Sequence, residues 1–113
     1  MANSKELLIG KWQPLEDCCF AGNSWHFYAH YEEGKSYYCF DGEHFTSHGT
    51  DYYEDNALYP YRYDPETQSI YLEQETIRVI GLSKNRLLLE LSIGIPGENG
   101  AIRVSLRRYS KKK

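Results

Sequence analysis

Four histidines, three cysteines, sixteen acidic residues and eleven tyrosines carry whatever chemistry this 113-residue chain can perform. His26 and His30, and separately His44 and His48, recur at a spacing of four. On a strand each pair would share one face. Zinc chelation favours positions two apart, however, and the segment 36–40 stands between the two pairs. The expectation is solvent-facing histidines, with no metal and no haem. Cys18 and Cys19 are adjacent, so on a strand they point to opposite faces, and no Cys-x-x-Cys spacing or basic neighbour activates them. A packing role follows for both, and for Cys39. Glu73 and Glu75 share a parity but have no accompanying nucleophile or positioned base. With no glycine-rich phosphate loop and no Ser/His/Asp arrangement, neither catalysis nor a cofactor is expected.

What remains is aromatic. Trp25, Phe27, Tyr31, Tyr38, Phe40, Tyr59, Tyr61 and Tyr63 offer rigid apolar faces, several with hydroxyls that need partners. That combination suits a pocket for a small hydrophobic or aromatic ligand. The same inward alternation equally produces a filled aromatic core whose hydroxyls reach the rim.

These residues must be held by strands. Tyrosine, phenylalanine, tryptophan and the β-branched residues favour pleated, half-buried surfaces, so the composition reads as all-β. One domain spanning residues 1–113 can bury a core without disulfides. The formal charge of −3 gives no general attraction to nucleic acid or to an anionic membrane. Only Arg107-Arg108-Tyr109-Ser110-Lys111-Lys112-Lys113 is locally basic, and 110–113 reads as a frayed end. No run approaches the roughly 20 apolar residues of a spanning helix. An odd cysteine count and an N-terminus without a signal pattern point to the cytoplasm, or else to an exported protein or lipoprotein already trimmed.

In order, residues 4–9 form a helical turn or lead into a first strand at Ile9–Asp17, with Pro14 at an edge or bend. A strand over 25–31 places Trp25, Phe27, Ala29 and Tyr31 on one apolar face, with His26, Tyr28 and His30 opposite. Strands 36–40 and 43–48 follow, joined by Asp41-Gly42, a pair suited to a tight turn in which both central residues take positive φ. Gly49–Asn56 is a polar, acidic loop. Tyr59, Tyr61 and Tyr63 share a face before the Asp64–Thr67 turn. Ile70 and Leu72, then Ile77 and Val79, then Leu87, Leu89, Leu91 and Ile93 point inward, and Pro96–Gly100 turns the chain. The last strand sends Ile102, Val104 and Leu106 inward and Arg103, Ser105 and Arg107 outward. Short strands joined by hairpin turns pair sequentially and antiparallel, and closing into an up-and-down barrel of about eight strands removes the exposed edges.

Gly10-Lys11-Trp12 on the first strand, Phe40-Asp41-Gly42 in an early hairpin, Leu82-Ser83-Lys84-Asn85-Arg86-Leu87 and the closing Arg108-Tyr109, in that order, resemble the bacterial lipocalin-like domains, barrels of the calycin type. The resemblance implies that Trp12 covers the closed end of the barrel. It further implies that a late arginine packs on the Trp12 ring: Arg108 by parity, or Arg107 if a bulge shifts the register. It implies a cup open at the other end that receives a small apolar molecule without catalysis. The alternative is a filled barrel acting as a protein-interaction module through exposed tyrosines and the acidic loop 49–56. An aromatic-lined barrel for single-stranded nucleic acid conflicts with the acidic balance. The sequence does not specify an oligomeric state.

Overall fold

The computed structural model of the chain describes residues 4–21, 24–50, 53–73, 75–92 and 101–109. Expectations for Ile93, the 96–100 turn, the 110–113 tail and the side chains of Tyr28 and Ala29 lie outside the described residues. A five-residue helix, α1 (Ser4–Leu8), precedes ten strands: β1 (Gly10–Ala21), β2 (Ser24–His30), β3 (Tyr37–Phe40), β4 (His44–His48), β5 (Tyr59–Pro60), β6 (Arg62–Asp64), β7 (Ser69–Tyr71), β8 (Thr76–Leu82), β9 (Arg86–Ser92) and β10 (Ala101–Arg108).

All described pairings are antiparallel. Around the sheet the order is β5-β4-β3-β1-β10-β9-β8-β7-β6, with β2 pairing β1 off this path. The two ends of that path, β5 and β6, are separated in the chain by Tyr61 alone. One passage of chain thus pairs first with β4 and then with β7, which nearly closes an up-and-down barrel of nine strands, against about eight expected. The Tyr61 amide donates to the Glu43 carbonyl at 3.1 Å and holds the break in place.

Strand β1 organises the wall because it is long enough to serve three partners. One edge pairs with β10 from Trp12 to Cys19; the other pairs with β3 over Gly10–Trp12 and with β2 over Glu16–Ala21. Pro14, which has no N–H to donate, and a register shift between Pro14 and Glu16 fall in the interval between β3 and β2. Alternation does the rest. Trp12, Tyr38, Phe40, Phe45, Ile70, Ile77, Leu89, Leu91, Ile102 and Val104 are completely buried, and Arg103, Ser105 and Arg107 lie on the outer face.

Two expectations need correction. The first concerns the Asp41-Gly42 turn, in which only Gly42 has positive φ, at 101°. Asp41 Oδ1 instead accepts hydrogen bonds from the Glu43 and His44 amides at 2.7 and 2.6 Å, so a carboxylate-stabilised loop of four residues joins Phe40 to Phe45. Those two amides hold the exposed Asp41 carboxyl below its usual range, His44 first.

The second correction concerns β2. Its register against β1 runs Asp17↔Ala29 and then Cys18↔Phe27, which leaves one extra residue, Tyr28, on β2. The side-chain faces exchange across that bulge. Trp25 and Phe27 consequently stand on the outer face opposite Phe20 and Cys18, and Phe27 is 63% exposed. His26 pairs with Cys19 across the ladder and is exposed, as expected of it.

Gly10 has a φ of 137°, and a Cβ there would come within 2.5 Å of Arg108 Nη1. Both the backbone conformation and the close approach require glycine. Gly10→Ala is expected to cost about 2–3 kcal/mol, from backbone strain and a displaced arginine, as read by urea denaturation.

Candidate functional site

One end of the barrel is closed by α1. Trp12 Nε1 donates to the Leu8 carbonyl at 2.9 Å, and Leu8 and Trp12 are both fully buried. Arg108 lies over the Trp12 ring at 4.0 Å from its centroid. Its three nitrogens donate to the carbonyls of Lys84, Ile9 and Leu7 at 3.1, 2.9 and 2.8 Å. A short helix leaves its last carbonyls without partners, and here one guanidinium and one indole supply them. The packing expected of Trp12 and Arg108 is present in full, and it is structural.

Opposite Trp12 begins a run of rings on the inner face. Phe45 is the hub, with its centroid 5.7 Å from Tyr38, 4.9 Å from Phe40, 5.0 Å from Tyr53 and 6.1 Å from Tyr59. Tyr53 meets Tyr59 edge-on at 5.6 Å, and Phe40 meets Tyr61 edge-on at 5.3 Å. Strands β3, β4 and β5 deliver all of these except Tyr61, which fills the break after β5, and Tyr53, which comes from the loop after β4.

Of the eight expected ligand-binding residues, the barrel brings together Tyr38, Phe40, Tyr59, Tyr61 and Tyr63. Tyr63 is 6% exposed beside its cross-strand partner Ile70, and burial, then the Asp64 carboxylate, raises its pKa. Tyr61 sits toward the helix-plugged end. Its hydroxyl accepts from the Gly42 amide at 2.9 Å, next to the turn that Ile9 approaches, and burial raises its pKa. Tyr31 donates to Asp17 Oδ2 at 2.7 Å, away from the ring cluster. Trp25 and Phe27 are outside it, with Trp25 against Phe20 at 5.1 Å and under Arg103 at 4.5 Å.

Two members of the cluster are additions. Phe45 shares the parity of Ser47 and lies directly opposite Phe40, so its alternation alone could have found it. Tyr53 carries no periodic signal. Its ring is packed between Phe45 and Tyr59, and among the described residues its buried hydroxyl finds only the Glu75 carboxylate, outside ordinary hydrogen-bond geometry. Burial first, and the nearby Glu75 carboxylate second, push its pKa far up, so the phenol stays protonated. The arrangement is therefore a loop-borne phenol seated in an aromatic slot beside a carboxylate.

The outer face holds polar groups instead. His48 stacks on Tyr37 at 5.5 Å and lies 3.5 Å from Asp55, and Lys11 is sandwiched between the Tyr37 and Tyr109 rings at 4.5 Å from each. A groove of about 590 Å³ runs along β1 and β10, lined in part by Gln13, Glu16, His30, Glu33, Arg86 and Arg107. Arg107 bonds Glu33 at 2.7 Å across it. Burial, then Glu16 and Asp17, raise the Cys18 pKa, which favours the thiol over the thiolate. Among the described residues no group of three His, Cys, Asp or Glu converges as a metal site, and no helix is long and apolar enough to cross a membrane.

Compared with protein-family models, with curated proteins and with solved structures, the chain matches none.

Proposed function

We propose that this barrel is a non-catalytic, lipocalin-like binding protein that receives a small aromatic or amphipathic molecule at the end away from α1. One observation carries the reading: Tyr53, held by a loop and not by a strand, occupies a slot walled by Phe45 and Tyr59, with its buried hydroxyl poorly satisfied near Glu75. A strand residue in that slot would be fixed by the ladder. A loop residue can leave it for a ligand that offers the same ring and a better hydrogen bond to the carboxylate. The ligand class that fits has one aromatic ring and one donor, a phenol or an aromatic amine.

The test begins with Tyr53→Ala, which removes the resident ring. The variant is expected to lose about 1–3 kcal/mol, and p-cresol, the side chain it lacks, should raise its melting temperature by several degrees. In the unaltered protein a polarity-sensitive dye should be displaced by aromatic amphiphiles. Tyr61→Ala, at the plugged end, should lower stability without changing dye affinity. If no aromatic compound shifts either melting curve, the slot is only core. The second reading, a filled barrel that serves as a protein-interaction module, then takes over; the outward placement of Trp25 and Phe27 favours it.

A further inference from the structure

Strand β2 uses one edge against β1, and among the described residues no strand pairs with its other edge. Such an edge presents a row of N–H and C=O groups to any extended chain, and proteins usually guard it with proline, lysine or an inward charge. The seven residues of β2, SWHFYAH, contain no proline, lysine, arginine, aspartate or glutamate. The bulge, a further common guard, lies at Tyr28 and leaves Ser24–Phe27 in regular register. The outer side of that regular stretch carries Trp25 and the 63% exposed Phe27.

We propose that β2 pairs antiparallel with β2 of a second copy of this chain, which joins the two barrels edge to edge. The charge pattern favours a second copy over a charged peptide. The edge carries no fixed charge to attract an acidic or a basic peptide, and Arg103, the nearest cation on this face, is engaged by Glu90 at 3.0 Å. Two identical neutral edges meet without repulsion, and a two-fold contact is self-complementary by construction. A dyad perpendicular to the sheet keeps outer faces together and lets the regular stretch set Trp25 opposite Phe27 of the second copy. The strip Phe20, Trp25, Phe27 then continues across the dyad as cross-strand aromatic pairs. An interface built on one strand is small, so the dimer is expected to form in the micromolar range.

Sedimentation of the full chain tests this. The unaltered protein should be dimeric at about 100 μM and dissociate on dilution. Phe27→Lys and Phe27→Glu alter an exposed side chain, so each should keep the melting temperature yet run as a monomer. In the expected register the two position-27 side chains are diagonal neighbours, within reach of long opposite charges. An equimolar mixture of the two variants should therefore recover the dimer. A monomer of the unaltered protein at that concentration, or a Phe27→Lys variant that remains dimeric, overturns the proposal.

Discussion

Trp12→Ala is expected to lower the stability of the barrel by about 3–5 kcal/mol, the range of large aromatic truncations in cores. Three losses combine. The indole is completely buried, so its removal leaves a void that β1 and β3 cannot close without breaking their ladder. The Leu8 carbonyl loses the Nε1 donor in a buried setting, where an unpaired acceptor is costly. Arg108 loses the ring beneath its guanidinium while its three bonds still reach toward α1 and Lys84. Urea denaturation followed by far-ultraviolet circular dichroism measures the sum. A double-mutant cycle with Arg108→Ala isolates the coupling, expected at about 0.5–2 kcal/mol. A loss under about 1 kcal/mol would mean that the helix plug is not coupled to the barrel.

The same residues show how far a sequence can be read and where physical reasons stop it. Strands β9 and β10 were legible because alternation persists for seven or eight residues in each, whereas β8 alternates only to Val79, where its register shifts. The packing of a late arginine on Trp12 followed from the family resemblance, and the parity of Ile102, Val104 and Leu106 chose Arg108 over Arg107. The faces of β2 were not legible. One extra residue reverses inside and outside, and nothing in Ser24–His30 announces a bulge, since its partner strand defines it. The Asp41 turn misled for a related reason. Asp-Gly suits a two-residue turn, but the aspartate can also bond the next two amides and stretch the loop to four. Tyr53 lies in a loop read as acidic and polar, where no period marks a buried side chain. The candidate site was thus half visible: its strand-borne rings follow from alternation, and its loop-borne ring follows only from tertiary packing.

Phe45→Ala is the second large expected effect, again about 3–5 kcal/mol. Phe45 is fully buried and touches four other rings, so truncation removes more mutual contact than the loss of any neighbour in the cluster. Where the value falls in that range depends on how far the site collapses, and this bears on function. If the Tyr53 ring can move, as ligand entry requires, it can swing toward the vacancy, and the loss should fall near 3 kcal/mol. If Tyr53 is as fixed as a strand residue, the void stays open and the loss should approach 5 kcal/mol. The double variant separates the cases. With a mobile Tyr53, Tyr53→Ala costs more in the Phe45→Ala background than in the unaltered protein, because there its ring is filling two places. With a fixed Tyr53 it costs less, because one of its ring contacts is already gone. Unfolding free energies of the four proteins therefore decide whether the aromatic slot is a binding site held shut by its own side chain or a finished core.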